Sequence, residues 1–205
     1  IEVNMNSPKI LTISALTLLA LTGCSNSNEA ENSPMESVAP VESETPTTNA
    51  DTNDRGNIEK QIGEEGSVTG ENGENIYSFK VTGIEPDFKC TNQYAQEPEN
   101  GNFVKLDVQV TSADAKTIKD QYYTNSIYMQ GGAWKYIAAN GTTYNGDLGS
   151  GSSYMCLPES ETIPAQIGPN EKVTGSIILD VPAADGTIVY SDPMVNGGWE
   201  YKLSK

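Results

Sequence analysis

The stretch Asn102-Phe103-Val104-Lys105-Leu106-Asp107-Val108-Gln109-Val110 decides the fold class of this chain. Val104, Leu106, Val108 and Val110 alternate with Lys105, Asp107 and Gln109. Successive side chains of an extended backbone point to opposite faces, so this period of two is the mark of a strand with one face buried. A second stretch repeats the logic. Val173, Ile177, Leu179 and Val181 share one face, with Gly175 as a gap; Thr174, Ser176 and Asp180 take the other face, where Ile178 is an exception. Pro169-Asn170 precedes that strand and Pro182 ends it.

Further strands are expected over Ile76–Ile84, Trp134–Ala138, Thr187–Tyr190 and Trp199–Leu203. Asn140-Gly141 signals a hairpin turn between two strands. Helical periodicity is weak, and residues 113–123 hold at most one short helix or turn. Six or seven strands punctuated by turns predict an all-β sandwich.

Two stretches carry a family resemblance. Residues 102–110 resemble the long central strand of a bacterial family that carries a domain of unknown function. That family is similar to the secreted immunoprotective antigens with an immunoglobulin-like fold. Ile167-Gly168-Pro169-Asn170-Glu171-Lys172-Val173-Thr174-Gly175, followed by Ile178-Leu179-Asp180-Val181-Pro182, is similar to the family's turn into a strand ending in Val-Pro. This chain has Asn170 where glycine is usual, and asparagine also adopts positive φ. The resemblance implies a lipoprotein with an immunoglobulin-like β-sandwich and brings no catalytic residues with it.

The N-terminal region reads as an address. Met5 is the expected initiator, Lys9 a small positive region, and Ile10–Leu21 a continuous apolar run apart from small hydroxyl residues. That run is too short to cross a bilayer, which takes roughly 20 residues. It ends in Leu21-Thr22-Gly23-Cys24, which resembles the lipobox of bacterial lipoproteins. The resemblance implies a diacylglyceryl thioether on Cys24, with cleavage before it. The other reading is an ordinary secretory signal with a chance cysteine. Residues 1–23 are thus expected to be a signal peptide. Residues 24–65 are rich in Ser, Glu, Asn, Thr and Pro, without aromatics. Such a segment cannot offset its ordering entropy and is expected to be a disordered acidic tether spanning about 35 Å. Residues 66–205 are expected to form the sandwich.

Charge and cysteine usage narrow the function classes. The chain has 28 acidic residues against 12 basic ones and a net charge of −16. No basic stripe exists, so nucleic acid is not an expected partner. Attachment to a membrane must rest on the lipid. With Cys24 lipidated, Cys90 and Cys156 remain as a pair. An oxidising compartment favours a disulfide between them, the alternative being two free thiols.

Histidine is absent, which removes Ser-His-Asp and Cys-His catalysis and the common zinc sites. No Ser-x-x-Lys or Gly-Lys motif occurs. Tyr154 stands where the third glycine of a dinucleotide loop starting at Gly149 would be. Acidic residues such as Glu71, Glu74, Asp87 and Asp147 form no spaced calcium loop. No cofactor and no metal are expected.

The remaining signal is aromatic. Residues 121–154 carry Tyr122, Tyr123, Tyr128, Trp134, Tyr136, Tyr144 and Tyr154 among Gly, Asn and Ser, the composition of adaptable binding loops. Trp134 and Tyr136 share one strand face. Facing outward, they would form with Tyr122, Tyr123 and Tyr144 a candidate binding face for a glycan or an envelope protein; facing inward, they are core. Trp199 and Tyr201 carry the same ambiguity. The expected function is that of a lipid-anchored lipoprotein on the extracytoplasmic face of the cell membrane, acting as a non-enzymatic binding module. The alternatives are a carboxylate-dependent envelope glycan hydrolase and a passive surface lipoprotein.

Overall fold

An alternating strand is stable only when its apolar face meets a second apolar layer, and here two sheets supply one another. The structure, a computed structural model, describes residues 52–122 and 124–203. Its strands are β1 (Ile58–Glu59), β2 (Glu65–Thr69), β3 (Asn75–Pro86), β4 (Asn102–Ser112), β5 (Trp134–Ile137), β6 (Lys172–Val181), β7 (Thr187–Tyr190) and β8 (Trp199–Lys202). One sheet has the order β2-β3-β4-β6 and is antiparallel throughout. The other has the order β1-β8-β7-β5, with β1 parallel to β8. The described chain is an all-β, immunoglobulin-like β-sandwich. Two short helices, α1 (Ala115–Gln121) and α2 (Gly151–Tyr154), interrupt it. Among the described residues no helix is long and apolar enough to cross a membrane.

Strand β4 lies centrally, as its pattern requires. Val104, Leu106, Val108 and Val110 are buried and sit opposite Leu179, Ile177, Gly175 and Val173 of β6. On the other face Lys105 reaches Asp107 at 2.9 Å. Between the sheets, Phe79 packs edge-on against Tyr190 and Trp199, at 4.9 and 5.0 Å between ring centroids. Removing a methylene-rich side chain such as Leu106 from such a core costs about 2–5 kcal/mol.

The gap at Gly175 has a physical cause. A Cβ there would lie 2.7 Å from the backbone nitrogen of Ile163, because residues 162–163 run along the free edge of β6. The Ile163 amide donates to the Ser176 carbonyl at 3.0 Å, which covers the edge. Asn170 has φ 57°, so the turn into β6 uses the left-handed region that the sequence anticipates.

Three expectations change. Ser176 and Asp180 do lie on the outer face of β6, but that face is not solvated: both are buried. A small second core of Phe103, Cys156, Leu157 and Ile178 covers the same side, which accounts for the Ile178 exception. Cys90 and Cys156 are joined in a disulfide beside it. Secondly, Asn140-Gly141 does not join two of the strands. It folds the end of β5 back, so that Ile137 bridges Thr143.

Thirdly, the sandwich begins before residue 66. Residues 53–65 lie within it because Glu200, buried on β8, needs partners. Arg55 forms an ion pair with it, and the amides of Asn53 and Asn57 each donate to Oε2 at 3.0 Å. β1 then pairs with β8 through Ile58 and Trp199. Cys24, the apolar run and the tether up to residue 51 lie outside the described residues.

Burial opposes ionisation of Glu200, but Arg55 and the two carboxamides outweigh it and hold the carboxyl below its ordinary value of 4.5. The unfolded chain therefore binds more protons at this site as pH falls. The clasp's contribution is complete above the unfolded glutamate value and is lost as pH drops through the lower folded value. Thermal midpoints of the protein and its Glu200→Gln variant, measured from about pH 7 to about pH 3, should converge on acidification. A gap that is constant with pH would contradict this. Gly175→Val should destabilise by about 1–3 kcal/mol in denaturant titration, because backbone cannot yield to the new side chain.

Candidate functional site

The buried carboxylate of Asp180 organises the loops on one side of the sandwich. It has 0% exposure and no ion-pair partner among the described residues. Four donors satisfy it instead. The Glu99 amide reaches Oδ2 at 2.7 Å and the Asn100 amide Oδ1 at 3.0 Å. The Ser150 hydroxyl donates to Oδ2 at 2.7 Å and the Ser152 hydroxyl at 3.3 Å. Ser150 also caps α2, its side chain accepting from the Ser153 amide at 3.1 Å. The Asn100 side-chain amide, in turn, donates to the Asp147 carbonyl at 2.9 Å. One carboxylate thus fixes Asp147 and α2, at whose end stands Tyr154.

The facing loop is fixed from the core. Ile127 and Ile167 exchange backbone hydrogen bonds of 2.8 and 3.0 Å. The Trp134 indole donates to the Met129 carbonyl at 3.3 Å, and the Gln130 amide to the Ile163 carbonyl at 2.8 Å. Ile127 and Met129 are buried, so the residue between them, Tyr128, points outward.

The two loops meet through glycines. A Cβ on Gly131 would lie 2.6 Å from the Cα of Gly149, so the backbones are in contact. Over this contact stand Tyr128, 45% exposed, and Tyr154, 51% exposed, with hydroxyls 3.4 Å apart. Asp147 lies with them. The point that a Gly149 Cβ would fill is 2.7 Å from the Tyr154 hydroxyl and 3.3 Å from Asp147 Oδ1. The corresponding point on Gly132 is 3.2 Å from the Tyr128 hydroxyl and 3.7 Å from the same Asp147 oxygen. Asp147 Oδ1 accepts from the Gly149 amide at 2.8 Å. Partial burial, the Tyr128 hydroxyl and the Asp147 charge all raise the pKa of Tyr154. A depression of about 350 Å³ adjoins Tyr154, lined by Gln130, Ser153, Glu159, Ile163, Pro164 and Ile178 among others.

The expected aromatic face is therefore not the observed one. Trp134 and Tyr136 are 3% and 2% exposed and belong to the inter-sheet core, as do Trp199 and Tyr201. Tyr122 is half-buried; its hydroxyl donates to the buried Asp192 at 2.7 Å and its ring stands edge-on to Tyr77. Tyr77 donates to the same Asp192 oxygen at 2.6 Å, and burial raises its pKa strongly. Tyr144 is half-buried, its hydroxyl donating to Asn100 Oδ1 at 2.7 Å. Tyr123 lies outside the described residues. Of the described aromatic residues in 121–154, those open to a partner are Tyr128 and Tyr154, which the sequence places in the same segment without distinguishing them. The signal that separates them is the glycines at 131, 132 and 149, where loops approach.

No family model matches the chain. No curated protein matches it either. Among solved structures, the chain is similar to the secreted protein MPT63 from Mycobacterium tuberculosis, at 15% identity and a TM-score of 0.43. The similarity covers 71% of this chain and 97% of that one.

Two glycine substitutions should separate the ledge from the fold. Gly149→Ala brings a methyl chiefly against the movable hydroxyl end of Tyr154, with the Gly132 nitrogen at 3.2 Å, so the cross-peaks between the hydroxyl ends of Tyr128 and Tyr154 should weaken in nuclear Overhauser spectra at a stability cost of about 1 kcal/mol, below that of Gly131→Ala. Gly131→Ala meets backbone and should destabilise by about 1–3 kcal/mol. Unchanged cross-peaks in the first variant would contradict the described arrangement.

Proposed function

We propose that this chain is a lipid-anchored lipoprotein on the extracytoplasmic face of the cell membrane. Its β-sandwich acts there as a non-enzymatic binding module, and the Tyr128–Tyr154 ledge is the binding surface. The observation that carries the reading is the exposure of two adjacent tyrosines on loops that are otherwise rigidly tied. Tyrosine offers a large contact area at low entropic cost, and an immobile mount lowers that cost further. Anchoring is supported by Leu21-Thr22-Gly23-Cys24, and an oxidising compartment by the Cys90–Cys156 disulfide.

Nothing specific favours the glycan hydrolase. Asp180, Asp192 and Glu200 are the buried carboxylates among the described residues, and each is engaged in hydrogen bonds that hold loops or strands. The partner is expected to be an envelope protein, reached from a tether at the membrane surface.

In-cell crosslinking with partner identification tests the module. The wild-type chain should give a specific, saturable adduct that Tyr128→Ala/Tyr154→Ala abolishes. An unchanged adduct, or none, would favour the passive lipoprotein, and turnover of purified cell-wall glycan would revive the hydrolase. Mass spectrometry of the mature N-terminus should find Cys24 acylated; an unmodified Cys24 would refute the anchor.

A further inference from the structure

The ledge presents three oxygens over two close-packed glycines, where even an added methyl on Gly149 would meet the Tyr154 hydroxyl at 2.7 Å. The Tyr128 and Tyr154 hydroxyls are 3.4 Å apart, and Asp147 Oδ1 lies beside the Gly132 and Gly149 points that both hydroxyls approach. Neither hydroxyl has a protein partner other than its fellow in the hydrogen-bond pattern of the described residues. Asp147 is in none of the ion pairs formed among the described residues. One carboxylate and two phenols supply a single negative charge with several acceptor lone pairs, because phenols ionise only near pH 10.

We infer that this ledge binds a primary ammonium group, and that the group is the side chain of a lysine in a partner polypeptide. The inference rests on the reading of the ledge as a binding surface. An ammonium has three donors and no acceptor, which suits three neighbouring acceptor oxygens: two hydroxyls 3.4 Å apart and an Asp147 Oδ1 near the glycine point beside each. Its charge is met by Asp147, and no group of three or more carboxylates gathers among the described residues to hold a metal ion. Exposed tyrosine faces add attraction for a cation. The depression beside Tyr154 adjoins the stem: Pro164 and Ala165 are its exposed apolar wall, with Ile163 and Ile178 buried behind them, and Glu159 contributes further negative charge. The domain's acidic excess would draw a basic segment toward it.

The test is a titration of the full chain, ¹⁵N-labelled, following the amides of Gly132 and Gly149 and the ring of Tyr154. The ligands are N-acetyl-lysine amide, its Nε-acetylated form, glucosamine and calcium chloride. Saturable shifts are expected with N-acetyl-lysine amide, weaker ones with glucosamine, and none with the acetylated form. Asp147→Asn should weaken binding about tenfold, the loss of one charge-assisted contact. Its remaining side-chain oxygen can still accept from Gly149, so the thermal midpoint should not move. Tyr154→Phe keeps the ring but removes an acceptor and should weaken binding several-fold. Equal binding of the acetylated form, or an Asp147→Asn variant that binds as the wild type does, would overturn the inference. Tighter binding of glucosamine would move the amine to a sugar and overturn the lysine, and displacement by calcium would make the site a metal site. If none of the amines binds while Tyr128→Ala/Tyr154→Ala still abolishes the crosslinked adduct, the ammonium inference fails and the binding module stands.

Discussion

A carboxylate removed from water costs several kcal/mol unless donors surround it. Asp180 meets that demand with two backbone amides and two serine hydroxyls drawn from two separate loops. The same constraint acts in reverse. Because Asp180 must be satisfied, residues 99–100 and 150–152 have one arrangement available, and with them Asp147 and Tyr154. The ledge is a consequence of a charge buried 26 residues further along the chain from Tyr154.

The pattern recurs around the sandwich. Glu200 holds residues 53–57 against β8, and Asp192 gathers the hydroxyls of Tyr77 and Tyr122 with the Met194 amide. Regular strands satisfy their own backbone, but the connections between them do not. In this protein three buried carboxylates fix the connections, Asp180 and Asp192 partly through backbone amides and Glu200 through the side chains of Asn53, Arg55 and Asn57. An aromatic layer joins the aliphatic core between the sheets, with Tyr190 stacked on Trp199 and Phe79 edge-on to both. The sheets thus provide cohesion, and the carboxylates provide position.

Much of the architecture was legible. The period-two pattern of β4 needed only local chemistry to be read, and so did the left-handed Asn170. Strands β3, β5, β7 and β8 fall on the apolar or aromatic segments that the sequence offers as further candidates, although β7 does not alternate. β1 and β2 are not among the expected strands: Ile58 alone carries no period and its strand exists by pairing with Trp199, and β2 has a single large apolar residue, Val68, and exists by pairing with β3. Residues 53–65 look like tether for the same reason: polar side chains such as Asn53 and Asn57 show no sign that a buried glutamate nearly 150 positions away needs them. The Gly175 gap was visible, while its cause, the passage of Ile163, was not.

The candidate site divides along the same line. Composition alone marked residues 121–154 as an aromatic, glycine-rich segment, and cysteine chemistry alone made Cys90 and Cys156 the natural pair. The sequence by itself also determined the strand faces, the acidic balance and the absence of histidine chemistry, because these depend on residue type and on periods of a few positions. Which tyrosines face solvent was decided by tertiary structure. Trp134 and Tyr136 turned inward because a second sheet needed covering, and Tyr128 and Tyr154 were left outside because two glycine loops met beneath them. Alternation tells that neighbours point oppositely, but only the position of the opposing layer tells which direction is in.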